Sequence, residues 1–218
     1  MGKIRAVVWD LDGTLLNTLD DLTNSLNLAL RENGFGEYSR EQVRSMVGNG
    51  TRMLITRAIP EGEGSERFQS VYDGFLRAYA RHSRDCTKPY EGILELLDHL
   101  RNEGIRHAVV SNKIDFAVQE LCREYFGDRI TVSVGDDPSR ARKPAPDSVF
   151  AAMERLNVPG TEAVYVGDSN VDIETAANAG IPGIGVLWGF RDRENLEAAG
   201  ARYVVSTPQE LEQLILSL

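Results

Sequence analysis

The chain has 218 residues, 42% of them hydrophobic, which is enough for one full domain and a second, smaller one. Its formal charge of −9 at pH 7 argues against the basic surface of a general nucleic-acid binder, although a few local cations can still bind a small anion. The sequence contains no apolar run near the roughly 20 residues of a membrane-spanning helix, and its two cysteines, Cys86 and Cys122, lack metal-ligand spacing. We therefore expect a cytoplasmic protein with two free thiols and with neither a nucleic-acid nor a membrane partner.

Short apolar segments alternate with amphipathic segments along most of the chain. The apolar segments, which predict strands, are Ile4–Trp9, Ile105–Val110, Ile130–Val134, Ala163–Val166, Ile181–Val186 and Tyr203–Val205. The amphipathic segments, which predict helices, are Gly92–Leu100, Asp115–Tyr125, Asp147–Leu156, Val171–Ala179 and Pro208–Leu216. This alternation is typical of a Rossmann-like fold of the α/β class, in which a doubly wound parallel sheet carries helices on both faces.

Residues 17–87 contain only helical patterns. Their leucines recur at helical spacing from Leu19 to Leu30, and a second amphipathic helix is predicted from Phe68 to Tyr79. An insert of this length, about 70 residues, is too long for an ordinary connection between a strand and a helix. We therefore predict a small all-helical domain at residues 17–87, inserted after the first strand of an α/β core formed by residues 1–16 and 88–218.

Charged and hydroxyl side chains follow the predicted strands at the points where the strands end. In chain order they are Asp10, Asp12 and Thr14 after the first strand, Ser111, Asn112 and Lys113 after the second, Lys143 after the third, and Asp168 and Asp172 after the fourth. Since ligands of open α/β sheets bind beyond the carboxyl ends of the strands, we expect these side chains to form one site.

The two carboxylates that follow the first strand call for a cation, because like charges at the end of a buried strand repel each other. Oxygen ligands are those that Mg²⁺ prefers. We predict that Asp10 and Asp168 bind this ion through their side chains, and Asp12 through its backbone carbonyl. A carboxylate such as that of Asp10 can also attack phosphorus. Ser111 and Lys143 could then bind the phosphoryl oxygens.

Four segments of the chain, in this order, resemble the four motifs of the haloacid dehalogenase-like hydrolase superfamily: WDLDGTLLNT, VVSNK, RKPAPD and VGDSNVDI. The motifs extend from Asp10 to Asp172, and the α/β pattern around them covers essentially the whole chain. The helical insert is similar to the cap domain of that superfamily. The resemblance implies a Mg²⁺-dependent phosphatase that forms an aspartyl-phosphate intermediate.

The resemblance also implies a distinct role for each motif residue. Asp10 resembles the nucleophile and metal ligand, and Asp12 the acid that protonates the leaving group and then the base that activates water. Asp168 resembles a metal ligand. Asp172 resembles a further ligand or a partner of one, and a plain first-turn acid of the next helix is an equal alternative. The remaining residues are candidates for contact with phosphate or substrate: Thr14, Ser111, Asn112, Lys113 and Lys143.

The segment Arg44–Arg52, RSMVGNGTR, resembles the cap loop that faces the active site in phosphoglycolate phosphatases. Gly48, Asn49 and Arg52 of this segment are therefore candidates for contact with the substrate, since an arginine can bind a carboxylate through two hydrogen bonds. For any single arginine here, an ordinary position on a helix surface is the alternative. The resemblance favours a substrate such as phosphoglycolate.

Other members of the superfamily are excluded to different degrees. Asp12 argues against a dehalogenase, and the absence of lysine from residues 17–87 argues against a phosphonate hydrolase with a cap lysine. A phosphomutase resembling β-phosphoglucomutase, a pyrophosphatase and a nucleotidase stay open, as does a non-enzymatic module that senses a phosphorylated metabolite. In each case we expect a small phosphorylated metabolite as the partner, and a monomer or weak homodimer.

Overall fold

Eight strands are present in the structure, a computed structural model that describes residues 3–218. They are β1 (Ala6–Trp9), β2 (Leu16–Asn17), β3 (Lys88–Pro89), β4 (Arg106–Ile114), β5 (Val132–Asp136), β6 (Ala163–Gly167), β7 (Gly183–Val186) and β8 (Tyr203–Val205). β2 and β3, of two residues each, pair in a small separate sheet that the sequence pattern did not predict.

The helices fall into two groups along the chain. Between β2 and β3 lie α1 (Leu19–Glu32), α2 (Arg40–Met46), α3 (Thr51–Ala58) and α4 (Phe68–His82). The others are α5 (Ile93–Asn102), α6 (Asp115–Phe126), α7 (Asp147–Leu156), α8 (Asn170–Ala179), α9 (Arg193–Ala198) and α10 (Pro208–Ser217). Short 3₁₀ segments occur at Gly62–Gly64, Gly127–Arg129 and Gly160–Glu162.

Six strands form one parallel sheet in the order β5-β4-β1-β6-β7-β8. The chain adds β4 and β5 on one side of β1, and then adds β6, β7 and β8 on the other side. Trp9, the last residue of β1, pairs with Val109 and with Val166 in the two neighbouring strands. The winding therefore reverses between β1 and β6, which is where open α/β sheets bind ligands.

Both faces of this sheet are covered by helices. Successive residues of β1 point to opposite faces. Val7 and Trp9 belong to one apolar cluster, with side chains of α5, α6 and α10, whereas Ala6 and Val8 belong to a second cluster with side chains of α7 and α8. All four residues are fully buried. The predicted doubly wound α/β fold is confirmed, and burial on both faces explains why the strands are apolar throughout.

The strand β4 extends beyond the apolar segment that predicted it, Ile105–Val110. β4 runs on to Ile114, so that Ser111, Asn112 and Lys113 lie inside its last part and not after it. Its pairing with β5 is regular up to Val110 and then shifts register before Ile114. Hydrophobicity alone could not predict this extension, because the added residues are polar and the pairing there is irregular.

The chain divides into two compact units. One comprises the chain up to Leu16 together with Pro89–Leu218, and the other is Asn17–Lys88, which we call the helical unit. In the helical unit, α1 packs against α4, and Gly74 of α4 lies close to Ala29 of α1. Four leucines of α1 are buried, as their helical spacing predicts: Leu19, Leu22, Leu26 and Leu30.

A buried carboxylate fastens the two ends of the helical unit. Asp21, in the first turn of α1, is 1% exposed. Its oxygens accept hydrogen bonds from the backbone N–H of Cys86, at 2.9 and 3.1 Å, and from that of Thr87, at 2.8 Å. Such bonds offset the loss of hydration of a buried charge.

The remaining expectations from composition concern thiols and membranes. Cys86 is an exposed free thiol and Cys122 a buried one, as predicted. Within residues 3–218, no helix combines the length and the apolar composition required to cross a membrane.

Candidate active site

Three buried carboxylates meet where the central strands end. Asp10 follows β1, Asp168 follows β6, and Asp172 lies in the first turn of α8. Each offers a carboxylate oxygen that lies within 4.8 Å of the other two. The Asp10 N–H donates to Val166 O at 2.9 Å, which continues the pairing of β1 with β6 and sets the backbone position of Asp10.

Lys143 supplies the positive charge of this cluster. Its Nζ donates to Asp10 Oδ1 at 2.7 Å and to Asp172 Oδ1 at 2.8 Å. Two further oxygens lie within reach, those of the Tyr165 hydroxyl at 2.9 Å and the Val110 carbonyl at 3.1 Å. The Lys143 side chain is 4% exposed, so the ammonium ion depends on these oxygens in place of water.

Asn112 holds the backbone of Lys143. Its Nδ2–H donates to Lys143 O at 3.0 Å, and its Oδ1 accepts the Lys143 N–H at 2.9 Å. Both polar atoms of this amide are therefore engaged in positioning Lys143. The prediction that Asn112 contacts phosphate or substrate is not tested, and the observed contacts favour a supporting role.

The Asp168 carboxylate is held by groups from two distant parts of the chain. Thr14 Oγ1 donates to its Oδ1 at 2.9 Å, and the Phe190 N–H donates to its Oδ2 at 2.7 Å. Gly13 and Gly189 pack against the same carboxylate so closely that a Cβ atom at either position would overlap it. Thr14 thus orders the turn after β1 by binding Asp168.

Asp172 accepts hydrogen bonds on both carboxylate oxygens. Oδ1 accepts from Lys143, and Oδ2 accepts from the Oγ–H of Ser169 at 2.6 Å and its N–H at 3.1 Å. The Ser169 contacts form a capping box at the start of α8. Both interpretations of Asp172 from the sequence therefore find support in its contacts, since it caps a helix and also belongs to the acidic cluster.

Asp12 and Lys113 form a separate ion pair at the edge of the cluster. Lys113 Nζ donates to Asp12 Oδ1 at 2.9 Å and Oδ2 at 3.1 Å. The Lys113 N–H donates to Ser111 Oγ at 3.2 Å, which leaves the buried Ser111 hydroxyl proton able to bind an anion. The Asp12 side chain is 19% exposed, more than that of Asp10 at 11%.

Burial dominates the electrostatics of the cluster. It raises the pKa of Asp10 well above its usual value, and repulsion from Asp172 adds to this effect. Burial, and then repulsion from Asp172, likewise raise the pKa of Asp168 to about 7. Burial by itself lowers the pKa of Lys143, but the carboxylates of Asp10 and Asp172 outweigh it and hold that pKa well above the usual value.

The residues present fit a divalent cation. Three carboxylates and one ammonium give the buried cluster a formal charge of −2, from three negative charges and one positive. A hard divalent ion with oxygen ligands would balance this charge, and so remove the repulsion that raises the pKa of Asp10 and Asp168. The residues placed to hold it are Asp10, Asp168 and Asp172.

The candidate residues of the helical unit lie in and beside the α2–α3 loop. Gly48, Asn49 and Gly50 have φ angles of 115°, 63° and 83°, three successive residues in a region that favours glycine. The Arg57 guanidinium donates to Met46 O at 2.7 Å, to Gly48 O at 3.3 Å and to Asn49 Oδ1 at 3.1 Å.

Arg52 is engaged within its own unit. Its guanidinium makes two hydrogen bonds to Glu63, at 2.9 and 2.7 Å, and lies 4.7 Å from the ring centroid of Phe68. A substrate carboxylate would therefore compete with Glu63 for this side chain. The substrate contacts of Gly48, Asn49 and Arg52 stay predictions.

Sequence reasoning missed the role of four groups that shape the site. Tyr165 lies in an apolar strand segment, and its ring gave no sign that the hydroxyl reaches the charged cluster. Gly189 and Phe190 act at the site through their backbone atoms, and the residue type does not reveal such contacts. The proximity of Trp188, whose Nε1–H donates to Thr14 O at 2.9 Å, is also visible only in the fold.

Comparison with known proteins agrees with the fold and the motifs. The family model described as haloacid dehalogenase-like hydrolase matches residues 7–186. A phosphoglycolate phosphatase of Xylella fastidiosa (strain 9a5c) is 34% identical over 88% of this chain and 83% of its own. An N-acetylmuramic acid 6-phosphate phosphatase of Pseudomonas aeruginosa is 30% identical over 96% of this chain and 93% of its own.

A solved structure of high similarity comes from Lactobacillus delbrueckii subsp. bulgaricus, where the protein is described as a candidate phosphoglycolate phosphatase. It has a TM-score of 0.94 and 36% sequence identity, and the match covers 99% of this chain and 100% of that one. The chain belongs to the haloacid dehalogenase-like hydrolases, and its family and relatives identify it as a phosphatase.

Proposed function

We propose that this phosphatase of the haloacid dehalogenase-like family hydrolyses a small phosphate monoester in two steps, with Mg²⁺, through an aspartyl-phosphate on Asp10. The observation that carries the proposal is the contact of the Lys143 ammonium with Asp10 and Asp172, beside Asp168, in a buried cluster at the strand ends. The cluster combines a carboxylate that can attack phosphorus with a fixed cation that can stabilise the transferred group.

In this proposal Asp10 and Asp168 hold the metal ion through their side chains, and Asp12 holds it through its backbone carbonyl. Asp172 either binds it directly or keeps Lys143 in place. When bound there, Mg²⁺ would supply positive charge beside the phosphoryl oxygens. Lys143 and the Ser111 hydroxyl supply further donors to the same oxygens.

In the first step the Asp10 carboxylate attacks phosphorus. The new bond joins an Asp10 oxygen to phosphorus, and the bond from phosphorus to the leaving oxygen breaks. Asp12 gives its proton to that oxygen, so the product leaves as a neutral alcohol. For Asp12 to carry the proton, its two contacts with Lys113 have to weaken, because a protonated carboxyl has lost the negative charge that attracts the ammonium.

In the second step Asp12, now a carboxylate, takes a proton from water. The water oxygen bonds to phosphorus, the bond between phosphorus and the Asp10 oxygen breaks, and inorganic phosphate leaves. Asp10 returns as a carboxylate and Asp12 as an acid, so the cycle closes with one water consumed. Asp12 thus serves both steps while Asp10 alone becomes covalently modified.

For the substrate we propose phosphoglycolate, with its carboxylate recognised by the loop of Gly48 and Asn49 and by Arg52. The support is the loop sequence and the relatives named as phosphoglycolate phosphatases. A sugar phosphate is the second candidate, because the Pseudomonas aeruginosa relative is named for N-acetylmuramic acid 6-phosphate and covers nearly the whole chain.

The test is phosphate release from a panel that includes phosphoglycolate, N-acetylmuramic acid 6-phosphate, glucose phosphates, a nucleotide and pyrophosphate, compared by kcat/KM. We expect hydrolysis that requires Mg²⁺, stops in EDTA and is highest for phosphoglycolate. Asp10→Asn should abolish turnover and keep the fold. Asp128→Asn, a change at an exposed aspartate of the same unit, is the matched control and should retain activity.

Several results would overturn parts of the proposal. Full activity in EDTA would exclude the metal requirement, and substantial turnover by Asp10→Asn would exclude the nucleophile. A kcat/KM for a sugar phosphate well above that for phosphoglycolate would replace the first substrate by the second.

A further inference from the structure

The hydroxyl of Tyr165 reaches the charged cluster from inside the apolar core. Tyr165 lies in the middle of β6, and its ring packs in the apolar cluster that also contains Val8 and Val110. The residue is fully buried. Its hydroxyl oxygen lies 2.9 Å from Lys143 Nζ and 3.2 Å from both Asp172 Oδ1 and Val110 O.

The hydrogen bonds among Lys143, Tyr165 and their neighbours are limited by the number of donors and acceptors. An ammonium has three N–H donors, whereas Lys143 Nζ has four oxygens within 3.1 Å. The phenol carries one proton, which it donates to Val110 O or to Asp172 Oδ1. Its oxygen is then free to accept from Lys143. Tyr165 is therefore able to accept a hydrogen bond from Lys143 while it donates its own hydrogen to Val110 O or Asp172 Oδ1.

Four oxygens lie within hydrogen-bond distance of the Lys143 ammonium. Two belong to the carboxylates of Asp10 and Asp172, and two belong to groups of the sheet strands, the Val110 carbonyl and the Tyr165 hydroxyl. A buried ammonium that loses one of these acceptors would shift toward the remaining ones, because an unsatisfied buried N–H is unfavourable.

We infer that Tyr165 is a positioning residue for the phosphatase reaction, whose hydroxyl fixes the Lys143 ammonium at the point where it meets the phosphoryl group. The inference rests on the proposed function for the role of Lys143, and adds a residue outside the four motifs. In this scheme Tyr165 contacts neither Asp10 nor the substrate, and it acts through Lys143, with a second hydrogen-bond contact to Asp172.

The first test detects the lysine itself. The chain has four lysines, Lys3, Lys88, Lys113 and Lys143, so a ¹⁵N-lysine-labelled sample gives few side-chain ammonium signals. The signal of Lys143 is identified by its loss in Lys143→Arg. In Tyr165→Phe, which keeps the ring and removes only the hydroxyl, we expect this signal to shift and to exchange faster with water.

The second test is kinetic. Tyr165→Phe should lower kcat about tenfold while KM changes less than about threefold, since a misplaced ammonium weakens stabilisation of the transition state more than binding. Inhibition by orthovanadate, a phosphate-like anion, should weaken by a similar factor. Tyr203→Phe, the same change on edge strand β8, is the matched control and should leave all these values unchanged.

The outcomes separate this inference from the proposed function. If the wild-type enzyme hydrolyses phosphate esters and Tyr165→Phe has an unchanged Lys143 signal or an unchanged kcat, the inference is wrong and the proposed function stands. If the wild-type enzyme leaves every phosphate ester intact, the proposed function fails and this inference with it. A melting temperature for Tyr165→Phe close to that of the wild type shows that the fold is kept.

Discussion

The indole of Trp9 and the imidazole of His107 share a buried hydrogen bond between the neighbouring strands β1 and β4. The Nε1–H of Trp9 donates to Nδ1 of His107 at 3.2 Å. The other ring nitrogen, Nε2, lies 3.2 Å from Leu97 O, which can only accept, so Nε2 carries the proton. The neighbours therefore fix His107 as one neutral tautomer. A second proton on Nδ1 would break the bond to Trp9.

This pair predicts a pH dependence of stability. Burial lowers the pKa of His107 from 6.5 to about 4. Between these values the unfolded chain binds a proton that the folded chain does not, so the free energy of unfolding falls as the pH decreases from about 6.5 to 4. This difference between the two pKa values corresponds to a loss of about 3 kcal/mol in the free energy of unfolding. Urea unfolding of the wild type and of His107→Gln across this range measures it.

Between pH 6.5 and 4, the free energy of unfolding should fall less for His107→Gln than for the wild type, by about 3 kcal/mol. Buried acids such as Asp10 and Asp168 also titrate as the pH changes, but they are common to both proteins and cancel in the difference. His99→Gln, at an exposed histidine, is the control and should keep the wild-type slope. Parallel profiles for His107→Gln and the wild type would contradict the assignment.

The second prediction concerns Gly189. A Cβ atom at this position would overlap the Asp168 side chain and the backbone carbonyl oxygen of Gly13. Gly189→Ala should therefore destabilise the fold by about 1–3 kcal/mol and lower activity at least about tenfold through displacement of Asp168. Urea unfolding and phosphate release measure the two effects. Gly36→Ala, where a Cβ meets no atom within 4 Å, should behave like the wild type.

The third prediction separates the two steps assigned to Asp12. p-Nitrophenolate leaves without a proton, so Asp12→Asn should still allow attack by Asp10 on p-nitrophenyl phosphate. Hydrolysis of the aspartyl-phosphate then lacks its base. We expect a burst of about one equivalent of p-nitrophenol per enzyme, followed by turnover slowed about 10²–10⁴-fold. Rapid mixing records the burst, and mass spectrometry should find one phosphoryl group on the peptide that contains Asp10. A steady rate without a burst would argue against this role.

The fourth prediction concerns the α2–α3 loop. Its three successive positive φ angles are unfavourable, and Arg57 holds the loop through Met46 O, Gly48 O and Asn49 Oδ1. Arg57→Lys keeps the positive charge, but the lysine ammonium lacks the planar guanidinium that reaches all three acceptors. The amides of residues 47–51 should then exchange with deuterium about tenfold faster.

Arg77→Lys provides the matched control for that measurement. Arg77 is an exposed arginine on α4 of the same helical unit, and its replacement should leave exchange in the loop unchanged. Equal exchange in the wild type and Arg57→Lys would show that the glycines set the loop conformation without Arg57.

The sequence predicted the α/β fold and the strand ends because both depend on local patterns. Apolar runs at β1 and β6 identify strands buried on both faces, and Asp10 and Asp168 follow those runs directly. The α1 leucines identify a packed helix in the same way. These features depend on periodicity and on residue type, which a single sequence shows.

The remaining features depend on neighbours that are distant in the chain. Tyr165 reads as one more apolar residue of a strand, and only the approach of Lys143 gives its hydroxyl a role. The polar end of β4 was missed because strand prediction used hydrophobicity. The engagement of Asn112 with the Lys143 backbone and of Arg52 with Glu63 follows from loop geometry, for which residue type gives no signal.

Asp21 has a consequence for how this chain can change. By accepting the N–H groups of Cys86 and Thr87, it brings the first turn of α1 next to the last residues before β3. The first and last residues of the helical unit therefore lie next to each other in the fold. A different set of helices could therefore be inserted between the same two points with the sheet left intact.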